Sequence, residues 1–154
     1  FGYNDTYDHV FKSFTSEKPK KMEFSSNGND YVLWMWKGDY YGLGAGAETG
    51  IYRGNGYHKL TYQDSKLIMK LSLYDKSGKQ IMKYEPGDPQ WWITGFNPEY
   101  QDFNYKNLRV EGMIDFSKEP ELWEVFYNRY VGFKEIDGIK ICIDKNSKTL
   151  YYMW

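Results

Sequence analysis

Apolar and polar residues alternate most cleanly in two stretches of the chain. In KLIMKLSLY, Leu67, Met69, Leu71 and Leu73 fall at every second position, and in LRVEGMIDF, Leu108, Val110, Ile114 and Phe116 oppose Arg109, Glu111 and Asp115. A period of two is the signature of a strand with one face buried and one face wet. KLIMKLSLY runs into the turn DKSG and returns as KQIMKY, which predicts a hairpin. LRVEGMIDF predicts a half-exposed antiparallel strand. YVLWMWK is apolar at both parities, so its strand is expected to lie centrally and be covered on both sides. SNGND before it supplies turn chemistry for a hairpin with MEFS. AETGIYR and QWWITGF read as further strands, EPGDP and NPEYQ as breaks, and GIKICIDKNSKTLYYMW as a last hairpin around DKNS.

Helical spacing occurs twice. NDTYDHVFKSF offers Asn4 or Asp5 as a cap, with Tyr7, Val10, Phe11 and Phe14 on one side. SKEPELWEVFYNRYVGF offers Ser117 as a cap and Pro120 in the first turn, with Leu122, Trp123, Phe126, Tyr127 and Tyr130 as the apolar stripe. The sum is eight or nine strands and two helices without βαβ alternation. The expected class is α+β, mainly antiparallel β, with a curved sheet closing as a barrel or sandwich and two flanking helices. One domain over residues 1–154 is expected, because a chain of this size buries a single core. The opening FGYNDT, without a starting methionine, suggests a piece of a longer protein, or a mature form.

Composition narrows the functional classes. With 20 basic and 21 acidic residues, a net charge of -1 and a pI near 6.2, no global field draws the chain to nucleic acid. No stretch approaches the length of a membrane span. Cys142 is the single cysteine, so no intrachain disulfide can form, and with His9 and His58 the only histidines no three-histidine metal site is possible. Neither metal nor cofactor is expected. Cys142 itself, between Ile141 and Ile143, reads as a small packed residue rather than a nucleophile. Aromatic residues make up 20% of the chain, enough to supply stacking surfaces as well as a core.

The chemistry concentrates in KGDYYGLGAGAETGIY, residues 37–52, where a carboxylate stands among glycines and alanines. Three readings compete: a phosphate loop, a thin bent strand, or a pocket with Glu48 as its charged group. The phosphate loop fails, because neither GK followed by Ser or Thr nor a glycine-opened helix is present. On a strand, Glu48, Gly50 and Tyr52 share one face while Ala47, Thr49, Ile51 and Arg53 take the other. Gly50 then marks either a bend or a gap for ligand. Asp39 could supply a second carboxylate for hydrolysis beside Glu48, and Lys37 and Tyr52 stand close in sequence. Trp91, Trp92 and Asn97 of QWWITGFNP form a second group, suited to stacking on a sugar or another flat polar ligand.

WKGDYYGLGAGAETGIY together with QWWITGFNP resembles the hallmark blocks of an uncharacterised bacterial family, Domain of Unknown Function 4474, found mainly in Firmicutes. The resemblance runs from YDHVF to about NPEY. It implies a part of a larger, secreted or envelope-associated protein, similar to the effector ends of bacterial toxins, and it carries over no catalytic residue. Two functions are therefore expected to compete. One is an effector or toxin domain, with Glu48 and Asp39 catalytic and an immunity-type protein as partner. The other is a non-catalytic module for glycan or cell-envelope polymer, with a purely structural or partner-binding domain as the plainer possibility.

Overall fold

The structure, a computed structural model, describes residues 19–39, 45–53, 59–60, 65–85, 92–93 and 104–154, with the backbone alone at Asp39, Ala45, Lys59, Leu60, Tyr84, Trp92 and Ile93. The predicted helix over residues 4–14, His9, His58, EPGDP after Glu85, Trp91 and NPEYQ lie outside the described residues.

The first hairpin joins β1 (Lys20–Ser26) to β2 (Asn29–Asp39) through Asn27 and Gly28, both in left-handed backbone conformations with φ of 53° and 80°. That pair of positive dihedrals is what a two-residue turn needs to match the twist of its strands. Residues 33–38 of β2 are all buried, as its doubly apolar pattern predicts. It lies between β1 and β3 (Ala45–Arg53), and β3 in turn pairs with β4 (Lys59–Leu60) and with β7 (Trp92–Ile93).

The second sheet follows the order β6-β5-β8-β11-β10-β9, from β5 (Ile68–Tyr74), β6 (Gln80–Tyr84), β8 (Arg109–Asp115), β9 (Glu135–Ile136), β10 (Ile139–Asp144) and β11 (Thr149–Met153). Met69 pairs with Ile114, Leu71 with Gly112 and Leu73 with Val110 across β5 and β8 on the buried face, as the alternation requires. Every ladder is antiparallel. Neither sheet closes on itself among the described residues, so the barrel alternative is corrected to two open sheets.

One helix is found among the described residues, α1 (Pro120–Tyr130), with Leu122, Trp123, Phe126 and Tyr130 buried. Its cap is not Ser117. Glu119 occupies that place, and its carboxylate accepts the Lys66 N–H at 3.0 Å instead of bonding the helix's first turn. Pro120 explains why the helix still starts here: it fixes φ and lacks the N–H that would go unsatisfied. Phe116 stacks on Phe126 with centroids 4.9 Å apart, while Phe24 meets Phe126 edge-on at 5.8 Å. Both sheets and the helix therefore feed one apolar core, from Met22 and Leu33 to Leu71, Ile114 and Leu150.

Two hairpin turns of the second sheet carry matching carboxylate clamps. Asp75 accepts the Ser77 hydroxyl at 2.6 Å and the N–H groups of Ser77 and Lys79 at 2.9 Å each. Asp144 accepts the Ser147 hydroxyl at 2.8 Å and the Asn146 N–H at 3.0 Å. In each case the serine hydroxyl is the largest cause that holds the carboxyl below its ordinary value of 3.8, helped by the backbone donors. A depressed folded-state pKa stabilises above the unfolded value and ceases to do so as pH falls through the folded one. Thermal melts are thus expected to lose midpoint on acidification below about pH 3.8, and Asp75→Asn with Asp144→Asn should flatten that part of the curve. An unchanged slope in the double variant would remove these clamps from the account.

Candidate functional site

The ladder between β2 and β3 assigns every residue of the glycine-rich strand to a face. On the core side, Leu33 pairs with Ile51, Met35 with Thr49 and Lys37 with Ala47. On the other side, Val32 pairs with Tyr52, Trp34 with Gly50 and Trp36 with Glu48. The predicted row of Glu48, Gly50 and Tyr52 is therefore present, and all three are buried.

Aromatic rings occupy the same face. Trp34 is fully buried and Trp36 nearly so, and the Trp34 ring lies 6.3 Å from that of Tyr52. Trp34 stands directly across the ladder from Gly50. Two other strand glycines lie against rings, Gly112 against one across its ladder and Gly38 against one on its own strand. A Cβ at Gly38 would come within 2.6 Å of the Trp36 indole, and one at Gly112 would overlap the Tyr152 ring that pairs opposite it. Strand glycines here make space for the protein's own rings, a known way of packing aromatics over a pleated sheet.

The other predicted members separate. Lys37 points into the space between the sheets, where its ammonium donates to the Leu108 carbonyl at 3.0 Å and lies 5.2 Å from the centre of the Trp154 ring. It is thus on the opposite face from Glu48. Asp39 pairs with Ala45 at the end of the ladder, in a register row of Lys37's parity. Trp91 and Asn97 lie outside the described residues.

The strongest conjunction comes from β7. Its Trp92 pairs with Ala47 and its Ile93 with Gly46, so QWWITGF runs alongside the glycine-rich strand. On the same edge of β3, β4 pairs with Ile51 and Tyr52. Glu48 lies between these two contact points, 6% exposed and engaged with its surroundings. A carboxylate in that position is costly to bury without such engagement.

Cys142 is a correction. It is exposed, because Ile139 and Ile141 take the inward parity of β10 and leave Lys140 and Cys142 facing out. With Met113, Tyr151 and Met153 it lines an open concavity of about 540 Å³ on the outer face of the second sheet. The sequence signal for this surface was available: these apolar residues occupy the solvent parity of otherwise alternating strands. No group of three or more His, Cys, Asp or Glu side chains able to hold a metal occurs among the described residues. No helix among them is long and apolar enough to cross a membrane.

Fold and site together define, among the described residues, a mainly antiparallel β domain with two open sheets and a buried carboxylate beside the place where the glycine-rich strand β3 meets β7. The chain matches the family described as Domain of unknown function (DUF4474) over residues 1–128, and it belongs to that family. The match runs beyond NPEY into α1, and the strands after it, β9, β10 and β11, complete the second sheet. No curated protein and no solved structure matches the chain.

Proposed function

We propose that the junction of β3 and β7 is the ligand site of an exported bacterial domain, and that it recognises a flat, polar ligand of the envelope-glycan class. The observation that carries this reading is the pairing of Gly46 and Ala47 with Ile93 and Trp92, which sets both hallmark blocks side by side next to Glu48. Glu48 serves as hydrogen-bond acceptor, and Tyr52, with Trp92 and its neighbours Trp91 and Asn97, supplies the amphipathic surface that sugar rings need. The two sheets act as a sandwich that holds this strand pair rigid. Binding without bond cleavage is favoured over hydrolysis because Asp39 and Glu48 belong to register rows of opposite parity, whereas a glycosidase aims two carboxylates at one bond.

Retention on purified envelope polysaccharide tests the proposal. The intact domain should be retained, and Glu48→Gln and Trp92→Ala should each reduce retention at least tenfold, the loss of roughly 1.4 kcal/mol of binding, with circular dichroism unchanged. Wild-type protein that passes through unretained would rule the glycan class out. The burial of Glu48 favours a second reading, an effector domain in which this carboxyl acts on substrate and an immunity-type protein is the partner. Expression in bacteria would then arrest growth, and Glu48→Gln would relieve the arrest without unfolding the chain.

A further inference from the structure

We propose that the outer face of the second sheet is the docking surface for an acidic amphipathic helix of another protein. The proposal is independent of the ligand site. An antiparallel sheet with one buried face turns polar side chains outward on the other, and at the centre of this face that rule breaks. Tyr151 and Met153 are 43% and 40% exposed. Tyr151 stands in register between Met113 and Cys142, and together these side chains form the middle of the open concavity of about 540 Å³. Contiguous exposed apolar side chains with a polar rim mark binding surfaces, and tyrosine and methionine are enriched in them.

The rim is cationic at both ends. Lys70 on β5 is in line with Met113, and Lys140 on β10 is in line with Met153. The two strands lie three strand spacings apart, roughly 14 Å. Both lysines are exposed, and neither ammonium has an ion-pair or hydrogen-bond partner among the described residues. Glu111, the carboxylate within the rim, is held by Arg109 at 3.0 Å. Glu135 stands opposite Lys140 on β9, on the side away from the concavity. A partner therefore meets an apolar centre between two uncommitted positive charges.

The sheet itself selects the occupant. Each of β5, β8, β11 and β10 has a neighbour on both sides, so their N–H and C=O groups point along the sheet towards those neighbours and its face offers none. A segment lying on this face must satisfy its own backbone, which a helix does and a strand does not. About ten helical residues cover the distance between the lysines. Such a helix lays an apolar stripe over Met113, Tyr151 and Met153 and brings a carboxylate near each end to Lys70 and Lys140. A second copy of this chain has no helix to offer among the described residues, because the stripe of α1 is buried in its own core. A flat anionic bilayer fits less well, since the surface is concave and carries Glu111 between its two cations.

Fluorescence anisotropy with the full chain tests this. The probe is a labelled peptide of about 18 residues, long enough to be helical in water, with a leucine stripe flanked by glutamates. It should bind saturably, and a version with lysines in place of the glutamates should bind roughly tenfold more weakly. Lys70→Glu with Lys140→Glu should reverse that preference, and Tyr151→Ser with Met153→Ser should weaken both peptides, with circular dichroism unchanged. If the charge reversal does not fold, Lys70→Gln with Lys140→Gln is read instead and should remove the difference between the peptides. A wild-type chain that binds neither peptide, or binds both alike, overturns the proposal, and so does a preference indifferent to Lys70 and Lys140. Sedimentation with vesicles of phosphatidylcholine and phosphatidylglycerol that depends on the two lysines, without peptide binding, overturns it in favour of a lipid surface.

Discussion

Gly112→Ala is expected to destabilise the chain although it adds one methyl group. The new Cβ would overlap the ring carbons and hydroxyl oxygen of Tyr152, which sits directly across the β8–β11 ladder and is 3% exposed. That ring belongs to the shared core and cannot simply rotate into water. Overpacking of this kind costs about 1–3 kcal/mol and occasionally more, which for a chain of this size lowers the melting temperature by roughly 2–4 °C for each kcal/mol. Tyr152→Leu in the same background should recover part of the loss. Calorimetry of the two single variants and the double variant reads the coupling directly, and additive effects would mean that ring and glycine do not depend on one another.

Trp34→Ala should cost more, about 3–5 kcal/mol, because a fully buried indole is removed and nothing across the ladder can refill its place. Gly50 is its cross-strand partner, so the cavity would be walled by a residue without a side chain on one side and by Tyr52 on another. With total stabilities commonly about 5–15 kcal/mol, such a variant approaches the unfolding threshold. Gly50→Ala reports on the same arrangement. It should destabilise the wild type, where Trp34 is the cross-strand neighbour, and be neutral or favourable once Trp34 is Ala. Denaturant titrations showing the same cost for Gly50→Ala in both backgrounds would contradict the ring-over-glycine packing.

These two cases mark how much the sequence could reveal. Alternation in KLIMKLSLY and LRVEGMIDF sufficed for the second sheet's buried face, since a strand's period depends on its own residues alone. The same holds for the stripe of α1. What the alternation could not supply was pairing. Gly112 lies far along the chain from Tyr152, and only the β8–β11 ladder brings them together. Glu48, Gly50 and Tyr52 were legible as one row, but the row's opposite number, Trp34 and Trp36, follows from the β2–β3 register.

The candidate site divides along the same line. Lys37 and Asp39 are near Glu48 in sequence and across the sheet from it in register, because their parity on β2 matches Leu33 and Met35 rather than Trp36. Trp92 is distant in sequence and adjacent in space. Cys142 was misread because Ile141 and Ile143 on either side suggested an apolar neighbourhood, whereas both take the inward parity of β10 with Ile139 and leave Cys142 facing out. Whether a sheet closes depends on which edges meet, and β5 reaches β8 across a long connection that local pattern does not report. The hydrogen bonds between the Tyr130 hydroxyl and the Glu23 backbone were likewise invisible, as they join the end of the helix to the first described strand.

The most direct measurement is a nuclear magnetic resonance titration of the labelled domain with soluble envelope-glycan fragments, following backbone amides. Shifts concentrated at Gly46, Ala47, Glu48, Trp92 and Ile93, and lost in Glu48→Gln, are the predicted result. Shifts confined to Met113, Tyr151 and Met153 on the open face of the second sheet, or none at saturating fragment, would contradict the assignment of the site to the junction of the two blocks.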